Sequence, residues 1–152
     1  MEPRIKNPAY TLPGARDAIL TVVKAAESCG VPRATFELVN VRIGQINGCS
    51  VCVELHSTNL QKEGMSEQRL FAVAAWRDAP YFSDAERAAL ELTEVVTRVA
   101  DRGDPVPDAV WAEAARHYDE QGLSALLIAI TSINVWNRLN AATRQVSGAW
   151  SP

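Results

Sequence analysis

Gly48-Cys49-Ser50-Val51-Cys52-Val53-Glu54-Leu55-His56 is the stretch on which the reading of this chain turns. It holds two of the three cysteines, spaced as CxxC, and a histidine four residues beyond the second. If the segment is a helix opening at Cys49, about 100° per residue puts Cys49, Cys52 and His56 within a stripe roughly 60° wide. All three side chains then share one face. Rise along the axis separates them: Cys52 and His56 lie about one turn apart and reach each other, whereas Cys49 and His56 lie about two turns apart.

Outward from this stretch the pattern is helical on both sides. Upstream, Pro32 suits a first turn, and Phe36, Val39, Ile43 and Ile46 fall on one stripe before Asn47-Gly48 ends it. An earlier helix runs from Pro13 to Ser28, and the proline-bearing residues 1–12 read as an extended arm. Downstream, the CxxC helix continues to about Glu63 with Gly64 as its cap, and Ser66 opens a short helix through Leu70, Val73 and Trp76. Ser83-Asp84-Ala85-Glu86 is a capping box before a long helix with Ala89, Leu90, Thr93, Val96 and Val99 inward, closed by Arg102-Gly103-Asp104-Pro105. Pro107 starts another, with Trp111, Ala114, Ala115 and Tyr118 inward and Gln121-Gly122 as its stop. The last, from about Ser124 to Val146, is apolar over most of its circumference through Leu126, Leu127, Ile128, Ile130 and Ile133, as in a central or interface helix. No alternating strand pattern interrupts the series. The fold class expected is all-α, one domain over 13–150, with short connections between antiparallel neighbours.

Composition narrows the function. A chain of 152 residues with net charge −3 lacks the basic surface of a nucleic-acid binder, and no apolar run is long enough to span a membrane. No signal-peptide core follows Met1-Glu2-Pro3-Arg4, so a cytoplasmic location is expected. Three cysteines do not make a disulfide framework, and a CxxC in a reducing compartment points to redox or metal chemistry. Zinc is the poorer reading, because three donors spread over two helical turns converge badly and no fourth follows. No metal or cofactor is expected. A CxxC after a strand would suggest a thioredoxin fold, but no strand precedes this one.

Helix geometry gives the cysteines different help. Cys49, near the helix N-terminus, has the amide dipole, and Cys52 has His56 as a base. Which thiolate attacks stays open on these grounds. Their α-carbons stand roughly 5 to 6 Å apart in a helix, inside the window a disulfide allows. A thiolate that becomes a sulfenic acid and condenses with its neighbour completes a two-cysteine cycle.

Glu37-Leu38-Val39, the CxxC with His56, Trp76-Arg77, Phe82-Ser83-Asp84-Ala85-Glu86-Arg87 and Ile133-Asn134-Val135-Trp136-Asn137-Arg138-Leu139 together resemble the alkylhydroperoxidase AhpD-like branch of the carboxymuconolactone decarboxylase superfamily. The resemblance implies a helical domain built around a helical hairpin, assembled as a homotrimer or homohexamer. It also implies a thiol-dependent peroxidase that takes a hydroperoxide and an external dithiol reductant, of the lipoyl type or a thiol protein. By the same resemblance Cys52 is the peroxide-attacking thiol, Cys49 the resolving thiol, and His56 with Glu37 a proton relay. The chain departs from the pattern at Val51, where the best-studied members carry a histidine. A general disulfide oxidoreductase and a noncatalytic redox sensor are the rival readings. Lactone decarboxylation ranks lower, since it does not need the cysteine pair.

Among other residues, Cys29 reads as a buried helix end and His117 as exposed. Trp76, Trp111, Trp136 and Trp150 read as core or interface fillers, and Arg69 and Arg77 as solvated or interface charges. Asn134, Asn137 and Arg138 are expected to bond helix termini or a neighbouring subunit.

Overall fold

A computed structural model describes residues 2–101 and 103–148, so Arg102 and Trp150 lie outside the described residues. Its elements are α1 (Pro8–Thr11), α2 (Ala15–Glu27), α3 (Arg33–Asn47), α4 (Ser50–Lys62), α5 (Glu67–Ala72), a 3₁₀ turn (Val73–Ala75), α6 (Asp84–Thr97), a second 3₁₀ turn (Val99–Asp101), α7 (Asp108–His117) and α8 (Glu120–Thr143). No strand occurs among the described residues. The fold is all-helical, as the hydrophobic period implies.

Side-chain caps place most helix starts. Ser83 and Glu86 form the reciprocal capping box of α6, Ser66 accepts from the Arg69 amide at α5, and Asn7 accepts from the Ala9 amide at α1. The N-terminal arm therefore contains a helical turn that its prolines obscure.

α3 is buried on two faces, and this makes it the spine of the domain. Phe36, Val39 and Ile43 pack with Cys49, Cys52, Leu92, Leu126, Ile130 and Ile133, while Leu38 and Val41 pack with Leu60, Leu70, Val73, Trp76 and Leu90. The long α8 crosses both α2 and α3. Burying a leucine or isoleucine such as Leu126 or Ile130 contributes about 1.5 to 3 kcal/mol each.

A group of ion pairs is built around one buried carboxylate, that of Glu94. Glu94 of α6 accepts from Arg42 Nε at 2.8 Å, Trp76 Nε1 at 2.9 Å and Arg77 Nη1 at 3.0 Å. Burial alone would raise its carboxyl, but the hydrogen bonds from Trp76, Arg42 and Arg77 and the charge of Arg42 outweigh this and hold it at about 2. Arg77 also lies over the Trp76 ring, 4.3 Å from its centroid, and Arg69 pairs with Glu86 at 2.7 Å. Arg69 is half-buried against Glu86, while Arg77 is exposed, as expected of a solvated charge, and at the same time pairs with Glu94 and Glu91.

Four boundaries or faces differ from the sequence expectation. Val99 falls past the end of α6 and is exposed, whereas Leu92 and Val95 fill the stripe. Trp111 and Ala115 face outward, because the inward stripe of α7 is the four-residue series Val106, Val110, Ala114 and Tyr118. Gln121-Gly122 does not stop α7. It lies inside the first turn of α8, where Asp119 accepts from the Gly122 amide at 2.8 Å, and a Cβ on Gly122 would come within 3.3 Å of Asp119 and Tyr118. At its far end α8 stops at Thr143, where Arg144 turns left-handed with φ 55°. Ile128 and Val135 of α8 point outward, away from the core.

Candidate active site at the CxxC hairpin

The α3–α4 connection is as short as a connection can be. Gly48 ends α3 in the left-handed region at φ 67°, and Cys49 follows at once as the N-cap of α4. The Cys49 sulfur accepts from the Cys52 amide at 3.3 Å, so the first cysteine caps the helix that carries the second. The sulfurs form a disulfide, with α-carbons 5.4 Å apart as the helical spacing implies.

Folding back at Gly48 brings the antiparallel helices together, and Gly44 sets how closely. A Cβ at that position would stand 3.0 Å from Val53 Cγ2 and 3.2 Å from the Val53 nitrogen. Two turns further along, the hairpin places Glu37 against α4. Its carboxylate accepts from His56 Nδ1 at 2.6 Å and from Asn59 Nδ2 at 3.1 Å, with Arg33 Nη2 3.9 Å away. The side chain is 6% exposed, so water does not compete for these bonds. Binding the proton of Nδ1 fixes the tautomer and leaves Nε2 as the free ring nitrogen.

Cys52 and His56 share the wall of a cavity of about 210 Å³. Its other walls are largely apolar, from Leu20 and Val23 of α2, Phe36 of α3, Val51 and Leu55 of α4, and Ile133 and Trp136 of α8. Arg16 and Glu27 of α2 line it as well, and so does Asn40, whose buried Oδ1 has no hydrogen-bond partner. The geometry separates the pair: Cys52 lines the cavity and Cys49 does not.

One expectation is corrected here. His56 is not the hydrogen-bond partner of Cys52; the Cys52 sulfur accepts from Asn137 Nδ2 at 3.0 Å and Asn140 Nδ2 at 3.4 Å, both on α8. Asn134 and Asn137 do bond a helix end, since both accept from Asn47, the last residue of α3, at 3.0 Å. The reach of Asn137 and Asn140 to sulfur was missed. The available signal was a run of asparagines at i, i+3 and i+6 on an otherwise apolar helix, where each must find a buried partner. Arg138 bonds Asn134 on its own helix, His117 bonds Glu113, and Cys29, half-buried and free, accepts from Gln121 Nε2 in the first turn of α8.

Comparison with known proteins gives concordant results. The model of the Carboxymuconolactone decarboxylase family matches residues 13–95, a span that includes Glu37, Cys49, Cys52 and His56. The uncharacterized protein YdfG of Bacillus subtilis is 34% identical over 130 residues, 86% of this chain and 87% of that one. Alkyl hydroperoxide reductase AhpD of Rhodococcus erythropolis is 40% identical over 42 residues, 28% of this chain and 24% of that protein. Among solved structures, a protein of unknown function from Agrobacterium tumefaciens superposes with TM-score 0.87 at 30% identity, covering 95% of this chain and 97% of its own. With a full-length relative, a family match across the hairpin and a fold shared nearly end to end, the chain belongs to the carboxymuconolactone decarboxylase family, as an AhpD-like member.

Proposed function

We propose that the protein is a thiol-dependent peroxidase that reduces organic hydroperoxides through the Cys49–Cys52 pair. The observation that carries this reading is the placement of Cys52 at the wall of an apolar cavity beside an imidazole held by a buried carboxylate. In the reduced protein the Cys52 thiolate attacks the distal oxygen of the hydroperoxide. The O–O bond breaks, an S–O bond forms, and the departing alkoxide takes a proton from His56 and leaves as alcohol. Glu37 stabilises the imidazolium before that transfer. The Cys49 sulfur then attacks the Cys52 sulfenic acid: the S–O bond breaks, the departing hydroxide takes the proton of the Cys49 thiol and leaves as water, and the disulfide forms. An external dithiol restores both thiols.

Two features support an organic rather than an inorganic peroxide. The apolar walls gain nothing from hydrogen peroxide but do cover an alkyl or aryl body, and the unpaired Asn40 Oδ1 supplies an acceptor for the terminal O–H. The sulfurs are only 4% and 3% exposed at residue level, which favours a slender dithiol of the dihydrolipoyl kind over a folded thiol protein as reductant. The same burial speaks against a general disulfide oxidoreductase. Exposed Ile128 and Val135, two turns apart on α8, support assembly into a homo-oligomer.

Steady-state consumption of cumene hydroperoxide with dihydrolipoamide as donor tests the reading. Turnover in the wild type, none in Cys52→Ser, and a sulfenic acid that persists on Cys52 in Cys49→Ser are expected. A single stoichiometric oxidation without turnover would leave a redox sensor instead.

A further inference from the structure

Four asparagines converge on the two sulfurs in two parallel chains. Asn47 donates from Nδ2 to Asn137 Oδ1 at 3.0 Å, and Asn137 donates from its own Nδ2 to Cys52 Sγ at 3.0 Å. Asn7, from the N-terminal arm, donates to Asn140 Oδ1 at 2.7 Å, and Asn140 donates to Cys52 Sγ at 3.4 Å and Cys49 Sγ at 3.5 Å. A carboxamide has one accepting end and one donating end. With the oxygen of each inner asparagine engaged by an outer N–H, rotating it by half a turn would set N–H against N–H and oxygen against sulfur. The outer pair therefore holds the inner pair with N–H groups toward sulfur.

These donors match poorly with neutral sulfur, which is a weak acceptor, and well with a thiolate. Asn137 is 1% exposed and Asn140 8%, so no bulk water takes over the role. No lysine or arginine among the described residues hydrogen-bonds either sulfur. The charged or titratable groups that line the cavity are Tyr10 of α1, Arg16 and Glu27 of α2 and His56 of α4, with Glu37 of α3 behind His56, and α8 contributes only amides to the sulfurs.

We propose that Asn137 and Asn140 stabilise the Cys52 thiolate, and that Asn47 and Asn7 are positioning residues that lock them in the donating orientation. Cys52 receives two side-chain donors, Asn137 being the nearer, and Cys49 receives Asn140 beside the backbone amide of Cys52. Only Asn47 of the four lies within the family match, residues 13–95, so the device is completed by the arm and by α8. This assignment rests on the dithiol reading above but does not depend on which oxidant the dithiol meets.

The test is the pH profile of iodoacetamide alkylation in fully reduced protein, resolved by peptide mass spectrometry so that Cys29 is read apart. Asn137→Ala and Asn140→Ala are expected to move the Cys52 midpoint up by about 1 pH unit, a roughly tenfold loss of thiolate below the midpoint. Asn47→Ala and Asn7→Ala, which touch neither sulfur, are expected to move it the same way by a smaller step. The dithiol–disulfide equilibrium against a thiol redox buffer should shift toward disulfide in parallel. Midpoints and equilibria unchanged in any helical, folded member of each chain would overturn the proposal and leave the asparagines as packing residues. Wild-type protein that fails to turn over hydroperoxide sinks the peroxidase reading alone, because the alkylation profile needs no peroxide.

Discussion

Glu37 and His56, nineteen positions apart in sequence, meet across the α3–α4 hairpin in a 2.6 Å hydrogen bond between Oε2 and Nδ1. The contact holds the imidazole at the cavity wall with one nitrogen occupied and the other free. Glu37→Gln keeps the shape but removes the carboxylate charge that faces Nδ1. We expect kcat/KM for hydroperoxide to fall by about tenfold to a hundredfold, with the helical fold intact by circular dichroism. An unchanged rate would remove Glu37 from proton transfer.

Gly44 decides whether that contact exists at all. An added methyl at this position would meet Val53 side chain and backbone at 3.0 Å and 3.2 Å, and the Val53 backbone has nowhere to retreat without parting the helices. Gly44→Ala should therefore cost about 1 to 3 kcal/mol in urea unfolding, against the small gain that alanine normally brings to a helix interior. A stabilised variant would show that the hairpin has slack.

Glu94 makes stability depend on acid. Its carboxyl is held at about 2 in the fold against an ordinary value of 4.5, so its contribution is complete above pH 4.5 and is lost as pH falls toward 2. The contribution is of order 2 to 3 kcal/mol. Thermal melts of the wild type should drop through this window, and Glu94→Gln should flatten the drop while lowering stability at neutral pH by about 3 kcal/mol or more, because Arg42 loses its buried partner.

Assembly can be read directly. If α8 docks against another copy through Ile128 and Val135, the double variant Ile128→Glu, Val135→Glu should elute as a monomer in size-exclusion chromatography with light scattering, while keeping its helical circular dichroism. A wild-type monomer, or an unchanged oligomer in the variant, would remove this face from any interface.

Most helices were legible because their signals are local. The Ser83–Glu86 capping box, the Asn47-Gly48 stop and the stripe of Phe36, Val39 and Ile43 each depend only on residues a turn away. On α7 the local signal was half right: of the expected inward set, Ala114 and Tyr118 pack in the core, whereas Trp111 and Ala115 face out and Val106 and Val110 complete the stripe. Gly122 looked like a stop until Asp119 was seen to cap it.

Within the site the division is equally physical. The sequence alone determined that Cys49 and Cys52 lie a turn apart at a helix start, with His56 on the same face, since helical periodicity acts between neighbours. Tertiary structure decided everything that reaches the sulfurs and the imidazole from elsewhere. Asn137 and Asn140 arrive from α8, Asn7 from the arm, and Glu37 from α3, each separated from its partner by a chain reversal. A buried amide or carboxylate finds its partner only when packing closes around both, and spacing along the chain carries no record of that meeting.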